Sequence, residues 1–304
     1  MTDQEYFESV LRDQTLEANS PELRALRSHR EDVEALLRKS FAEASPTIRY
    51  GGSYAKGTMN RDSYDLDLAC YFQRDDSDAG DTLQQIYDNV EHALAKKYRI
   101  ERKSSAVRLH DCEVGTDFHI DVVPGRFVGD DADDVFLYQS SGEKGRLKTN
   151  LDVHIAHVKE SGLIPAVRLL KLWVVRYHLG VKTFVLELLA IDLLSRKREA
   201  SLGDQLTYVF EQFRDHSDDL SIEDPANRTG NDLSELLSAT ARFTLAASAR
   251  QTLEQVAASG WESVYGETEQ STKAKKIAAL ERLAAAAAVR PQPHCLVDSS
   301  SGSA

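Results

Sequence analysis

Two carboxylates lie one step apart on a segment with the pattern of a β-strand. Asp65-Leu66-Asp67-Leu68 alternates acid and leucine, and apolar residues continue to Phe72. Because side chains alternate between the two faces of a strand, both aspartates are expected on one face and both leucines on the core face. Two carboxylates on one face repel each other, and a hard divalent cation such as Mg²⁺, which takes oxygen ligands, would relieve that repulsion. A solvated strand edge would show the same pattern.

Two neighbouring segments favour the metal site. Upstream, Gly51-Gly52-Ser53 follows a strand-like segment and opens a predicted helix, so its N–H groups would form a phosphate cradle. Downstream, Asp121 lies between apolar residues on another predicted strand. Taken alone, the glycine–serine segment could be a plain tight turn, and Asp121 could be an acid at a strand edge beside a Pro-Gly turn. Together, the three segments match the parts used in two-metal phosphoryl transfer.

The hydrophobic pattern divides the chain into two architectures. Residues 1–150 combine a long helix, predicted over 20–41, with several short strand-like segments. Residues 151–290 are predicted to be mostly helical, and 291–304, rich in serine and proline, to form a flexible tail. The pattern therefore predicts an α+β fold, with a small mixed sheet and its flanking helices packed on a C-terminal helical lobe.

Turn residues and hydrophobic periodicity predict the limits of the other strands and helices. Predicted strands cover 65–72, 105–114 and 117–123, the last ending at Pro124-Gly125, and 127–150 is predicted to be an extended connection. Predicted helices cover 81–97, 163–179, 183–197, 232–258 and 270–289, with a loop at 221–232.

Charge and composition limit the class of partner. The formal net charge is −12, whereas proteins that grip long nucleic acids usually present positive surface, so a long nucleic acid is not expected as the main partner. No run of about 18 apolar residues is present, so no membrane span is expected. The acidic start lacks a secretion signal, and a cytoplasmic location is expected.

Neither the cysteines nor the histidines have the spacing of a zinc site. Cys70, Cys112 and Cys295 are far apart and form no CxxC pair, which is typical of reduced cytosolic thiols. His154 and His157 lie three apart in a predicted helix, without an acid or cysteine at metal-site spacing. A zinc site is therefore not expected.

The motifs resemble those of a known superfamily. GGSYAKGT followed six residues later by DLDLACYF is similar to the glycine–serine and DxD core of the polymerase-beta-like nucleotidyltransferases. With the later IDVVP, the pattern resembles the branch that includes 2′-5′ oligoadenylate synthetases, cGAS and the bacterial cGAS/DncV-like nucleotidyltransferases (CD-NTases). The similarity extends over about residues 20–232 and implies the polymerase-beta-like fold.

Three further positions are assigned by this resemblance. VRLLKLW is similar to the family helix whose lysine meets the triphosphate, and this lysine is Lys171 here. KTFVLELL is similar to the family segment whose hydroxyl residue touches the phosphates and whose next residue lies against a base. These two residues are Thr183 and Phe184 here. EDPANRTGND resembles the family's DPxxPxNN loop, although Arg228 and Gly230 depart from it. Taken alone, Lys171 could direct its ammonium to solvent, Thr183 could cap a helix and Phe184 could be core. A solvent-exposed lysine contributes no more than about 0.5 kcal/mol to folding.

The resemblance implies a reaction and a role for each site residue. Asp65 and Asp67 would ligate two Mg²⁺ or Mn²⁺ ions, and Asp121 would complete the catalytic metal site and help to take the proton of the attacking hydroxyl. Gly52 and Ser53 would hold phosphate oxygens. The product would be a cyclic di- or trinucleotide messenger made from ATP and a further triphosphate of unknown base, in antiphage (CBASS) signalling. A regulatory or conjugating protein would bind the C-terminal tail.

Two other functions fit parts of the sequence. Linear oligoadenylate synthesis or addition to an RNA end would keep the chemistry, but RNA-end addition calls for a basic groove, and the helical half has no dense Lys/Arg run. A catalytically idle nucleotide-binding or partner-binding module is disfavoured because Asp65, Asp67 and Asp121 are all present.

The charge generates the first prediction. At physiological salt, duplex DNA should neither bind tightly to the protein nor stimulate nucleotide incorporation, because net negative charge opposes phosphate binding. Titration with a labelled duplex and an incorporation assay with and without DNA test it. A many-fold rise in product on adding DNA would contradict it and indicate a basic groove.

Overall fold

In a computed structural model, the described residues are 1–110, 119–129, 133–140, 145–228, 231 and 233–288. The strands are β1 Thr47–Tyr50, β2 Leu66–Phe72, β3 Arg99–Arg102, β4 Val107–His110, β5 His119–Phe127, β6 Val135–Tyr138 and β7 Arg146–Thr149. The first helices are α1 Asp3–Asp13, α2 Pro21–Ser40, α3 Gly52–Lys56 and α4 Leu83–Leu94. The helical half contains α5 Leu151–Lys159, α6 Ile164–Arg176, α7 Thr183–Leu193, α8 Leu202–Asp215, α9 Ala239–Ser259, α10 Glu262–Tyr265 and α11 Glu269–Ala288.

The strands form one mixed sheet in the order β1-β2-β5-β4-β3, and β6 pairs with both β5 and β7. The β2–β5 pair is parallel, and the other pairs are antiparallel. A small mixed sheet with flanking helices, followed by helices, confirms the predicted fold class.

Strand β5 is longer than the sequence predicted. It was expected to end at Pro124-Gly125, which is wrong, since β5 continues to Phe127. Proline is tolerated because β4 pairs with β5 only as far as Val122, and the pairing of β5 with β6 starts at Gly125. Pro124 therefore lies between these two ladders. Glycine is required next, because a Cβ at Gly125 would lie 2.6 Å from Val135 Cγ1.

The predicted connection over 127–150 contains strands β6 and β7. Val135 and Leu137 are buried, whereas Phe136 and Tyr138 are half-buried, so the strand pattern was present but too short to stand out. Residues 111–118, which held parts of two predicted strands, lie outside the described residues, as do the tail 291–304, Cys112 and Cys295.

One hydrophobic core lies between the sheet and helices α2 and α4. Leu66 and Leu68 of β2 are buried in this core, as the alternation in the sequence predicted. The opposite face of β2 therefore presents its polar side chains away from this core.

A second core holds the helical half. It is centred on Trp173 of α6 and includes Phe210 and Phe213 of α8, with apolar residues of α7. Helix α1, which was not predicted, packs here through Phe7 although it precedes the sheet in the chain. None of the described helices has both the length and the apolar character needed to cross a bilayer.

Candidate active site

The turn after β1 closes around the carboxylate of Asp67. The Gly51 N–H donates to the Asp67 carbonyl at 2.8 Å, which extends the β1–β2 pairing by one residue. Gly52 begins α3 with φ of +51°, and a Cβ there would overlap Asp67 Oδ2. Glycine is thus required at Gly52 by backbone conformation and by close approach to an acid.

Seven of the eight predicted site residues line one cavity of about 320 Å³. Asp65, Asp67, Gly52 and Ser53 come from the sheet half and its turn. Lys171, Thr183 and Phe184 come from helices α6 and α7, so the cavity lies between the two halves of the molecule.

The eighth residue, Asp121, is held differently. It lies opposite Asp67 in the parallel β2–β5 register, and opposite Arg108 in the β4–β5 register. Arg108 donates from Nε and Nη2 to both carboxylate oxygens of Asp121, at 2.8 and 2.7 Å. Asp121 is therefore beside the cavity acids but occupied by an arginine that the sequence analysis did not identify.

Asp65 and Asp67 have shifted pKa values. Burial, together with the charges of Asp65 and Asp121, raises the pKa of Asp67 to about 7. For Asp65, burial opposes ionisation, but the neighbouring His119 imidazole outweighs it and lowers the pKa. His119 Nε2 lies 3.4 Å from Asp65 Oδ2. Hence the positive charge near Asp67 is too small to offset its burial and the two neighbouring carboxylates.

The donor set fits a divalent cation, although the ligands are not gathered. Within the described residues, no three His, Cys, Asp or Glu side chains are grouped closely enough to hold an ion. The carboxylate oxygens of Asp65 and Asp67 are nevertheless hard ligands whose mutual repulsion a cation would relieve. Asp121 would first have to give up part of its pairing with Arg108.

Ser53 supports the predicted phosphate cradle. Its hydroxyl oxygen is buried and has no hydrogen-bond partner among the described residues, yet Ser53 lines the cavity. A buried hydroxyl without a partner is unfavourable, so a ligand that accepts a hydrogen bond there would satisfy it.

The side chain of Lys171 is not directed to solvent. It is 7% exposed, and its Nζ donates to Glu187 Oε1 at 2.9 Å and to Thr58 Oγ1 at 3.1 Å. The expectation that such a lysine contributes little to folding is therefore wrong for this chain. Its helix, α6, directs it to the buried carboxylate of Glu187 on α7. The sequence pattern did not distinguish Glu187 from the apolar core residues around it.

A second lysine shares the same carboxylate. Lys56 Nζ, on α3, donates to Glu187 Oε2 at 2.8 Å and lies 4.9 Å from the centre of the Phe184 ring. Burial opposes ionisation of Glu187, but the charges of Lys171 and Lys56 outweigh it and lower the pKa of Glu187 to about 2. Lys56 was present in the GSYAKGT motif but was not assigned a role.

A histidine and an aspartate shape the wall behind Phe184. The His154 ring meets the Phe184 ring edge-on at 5.1 Å, and His154 Nε2 lies 3.2 Å from Asp224 Oδ1. Asp224 also accepts from Asn231 Nδ2 at 2.6 Å. The DPxxPxNN-like loop is thus tied to the cavity wall, and Arg228, its departure from the pattern, is exposed.

Two smaller expectations are also settled. Thr183 is the first residue of α7, whose N-cap is Lys182, so Thr183 is not a capping residue. Phe184 packs against the helical core but is only partly buried and faces the cavity. Thr229, Gly230 and Asp232 of the loop lie outside the described residues.

Solved structures of other proteins share this fold. The fold is shared with solved structures of Escherichia coli MS115-1 CdnC with ATP (TM-score 0.67, 20% identity, covering 88% of this chain and 98% of that one) and Vibrio cholerae DncV, a cyclic AMP-GMP synthase (TM-score 0.68, 14% identity, 87% and 96%). Bradyrhizobium diazoefficiens CdnG with GTP is also similar (TM-score 0.66, 13% identity, 86% and 94%).

A sequence match identifies one domain of the chain. Residues 46–124, from β1 through the central part of β5, match the model of the DncV-like cyclic GMP-AMP synthase nucleotidyltransferase domain. The sequence matches none of the curated proteins. The chain therefore carries a DncV-like nucleotidyltransferase domain and is a nucleotidyltransferase, which confirms the relationship to bacterial cGAS/DncV-like enzymes inferred from the motifs.

The raised pKa of Asp67 gives the second prediction. The folded state keeps this proton up to about pH 7, whereas the unfolded chain loses it near the ordinary value of 3.8, so metal-free stability falls as pH rises through that window. Asp67→Asn should raise the Tm in EDTA by about 2–4 °C at about pH 8, corresponding to about 1 kcal/mol. The gain should shrink towards about pH 5.

Thermal unfolding across this pH range measures the effect. Asp78→Asn, which changes an exposed loop acid, is the matched control and should leave the Tm unchanged. A gain for Asp67→Asn that does not vary with pH would contradict the assignment of the shift to Asp67.

The burial of Lys171 gives the third prediction. Lys171→Ala should lower the free energy of unfolding by about 1–3 kcal/mol, because buried hydrogen bonds to Glu187 and Thr58 are lost. Lys182→Ala, on the exposed N-cap of α7, is the control and should change stability little. Chemical unfolding of both variants tests this, and equal stability of the two would be inconsistent with the buried contacts.

Proposed function

We propose that this nucleotidyltransferase is metal-dependent and joins nucleoside triphosphates into a cyclic di- or trinucleotide messenger. The observation that carries the proposal is the placement of Asp65 and Asp67 beside the Gly52-Ser53 turn, in one cavity that helices of the second half close. The similar structures named as cyclic dinucleotide synthases, including DncV, support the cyclic product.

Two divalent ions, Mg²⁺ or Mn²⁺, would be held by Asp65 and Asp67, with Asp121 completing the catalytic site. When bound, such ions polarise the triphosphate and favour ionisation of the attacking hydroxyl. The acids on this side of the cavity would hold the ions in place. The proximity of Asp67 to Asp121 in the strand register supports a shared site, and Arg108 would move from Asp121 towards other acceptors.

The nucleotide would lie between the acids and the helices of the second half. Ser53, with its unsatisfied hydroxyl, and the Gly52 backbone would contact phosphate oxygens, and Lys171 and Thr183 the triphosphate tail. Phe184, fixed against His154, would face a base.

The transfer itself forms one bond and breaks one. The 2′- or 3′-hydroxyl oxygen of one nucleotide bonds to the α-phosphorus of the other, and pyrophosphate leaves as the α–β bridging bond breaks. Asp121 is the candidate acceptor of the hydroxyl proton. A second transfer within the linear dinucleotide, or a third after one more addition, would close the ring and release another pyrophosphate.

The substrates would be ATP and another nucleoside triphosphate. The cellular role would be antiphage signalling in the cytoplasm. The similar enzymes were solved with ATP and GTP, and CdnC also in a complex with a HORMA protein. A regulatory or conjugating protein at residues 291–304 would be a comparable partner for this chain. Linear oligoadenylate or RNA-end addition uses the same acids, and product analysis separates these outcomes.

The fourth prediction tests the reaction and its acids together. Wild-type protein incubated with labelled ATP, GTP, CTP and UTP plus Mg²⁺ or Mn²⁺ should yield phosphatase-resistant products with the mass of a cyclic di- or trinucleotide. Asp65→Asn/Asp67→Asn should reduce incorporation by roughly a thousandfold or more, because ion-mediated charge stabilisation is worth several kcal/mol. The double variant should remain folded, since the changes remove repulsion.

Three results would count against the proposal. Near-normal turnover of the double variant would remove the acids from the site. Phosphatase-sensitive products alone would favour linear synthesis. No incorporation by the wild-type protein under any combination of nucleotide and metal would favour an idle binding module.

A further inference from the structure

A buried carboxylate lies beneath the triphosphate side of the cavity and binds both of its lysines. Glu187 is 2% exposed, and each of its oxygens accepts from a different ammonium, Lys56 at 2.8 Å and Lys171 at 2.9 Å. Thr58 donates its hydroxyl to Glu187 at 2.7 Å, so the carboxylate is satisfied by three donors. A carboxylate in this position weakens, rather than strengthens, the attraction of the pocket for an anion.

The lysines retain capacity for a ligand. Each ammonium has three N–H donors, of which Lys171 uses two, on Glu187 and Thr58, and Lys56 directs one to Glu187. Both lysines line the cavity, and the buried group of two ammoniums and one carboxylate carries one net positive charge. Because both ammoniums are nearly buried and already pair with Glu187, an anion in the cavity would share their charge with that carboxylate.

We propose that Glu187 is a positioning residue that holds Lys56 and Lys171 at the cavity and competes with the triphosphate for them, which limits affinity and allows pyrophosphate to leave. The inference rests on the proposed function and specifies how the site controls affinity. A purely structural ion pair would join α3 to α6 and α7 but would not compete with the anion.

The two roles predict opposite changes in binding. In Glu187→Gln, the competing charge is removed while size is kept, so the affinities for ATP and for inorganic pyrophosphate should each rise about tenfold, the scale of one charge-assisted contact. The kcat should fall, and pyrophosphate should become a stronger product inhibitor. If Glu187 only supported the structure, loss of lysine placement would weaken both ligands, and KM would rise.

Asp224→Asn is the matched control. It also removes a nearly inaccessible carboxylate beside the cavity wall, but Asp224 accepts from His154 and Asn231 and not from a lysine. Its stability should fall without any gain in pyrophosphate affinity. A gain in Asp224→Asn equal to that in Glu187→Gln would overturn the specific role of Glu187.

A second pair of variants tests the proposal even if Glu187→Gln does not fold. Lys56→Gln leaves Lys171 neutralised by Glu187, so ATP affinity should fall about tenfold. Lys56→Gln/Glu187→Gln restores one net positive charge and should bind ATP more tightly than Lys56→Gln. Calorimetric titration with ATP and with pyrophosphate, in Mg²⁺, measures all of these variants.

The outcomes separate the inference from the function on which it rests. Wild-type protein that binds neither ATP nor pyrophosphate would overturn both. Wild-type binding and turnover, combined with unchanged or weaker affinity in Glu187→Gln, or with no recovery in the double variant, would overturn the role of Glu187 alone.

Discussion

The site depends on the parallel pairing of β2 with β5. This register places Asp67 opposite Asp121, and Asp65 directly precedes β2, so three carboxylates come together at one end of two adjacent strands. Parallel partners direct their side chains to the same face, and the other face of β2 is fixed by Leu66 and Leu68 in the core. A register shift of one residue would bury the acids, so the core packing of the sheet also fixes where the acids lie.

Charge on the two sides of the cavity is balanced in different ways. The acidic side is only partly neutralised, by His119 at Asp65 and Arg108 at Asp121, which leaves Asp67 with a pKa of about 7. The opposite side holds two ammoniums against one carboxylate. A metal–triphosphate complex carries positive ions and negative phosphates, and this arrangement of opposed charges is complementary to it.

Local pattern predicted the acids and the turn, because each follows from adjacent residues. The alternation around Asp65 and Asp67 required only strand geometry, and the Gly52 turn required only the glycine pair. The pairing of Asp121 with Arg108 depends on which strands become neighbours, and the burial of Lys171 depends on how α6 meets α7. Neither is encoded at a fixed spacing. The extension of β5 through Pro124 likewise depends on the gap between two partner strands.

The lysine–glutamate group joins the two halves of the molecule at the point where the cavity is formed. Lys56 belongs to the short helix after the glycine turn, whereas Lys171 and Glu187 belong to the helical half. Breaking such a buried network leaves uncompensated charge, so the helices cannot move away from α3 without cost. The same contacts that fix the cavity width therefore also set its charge. Because a bound anion would draw the ammoniums away from Glu187, nucleotide binding and the association of the two halves are expected to be coupled.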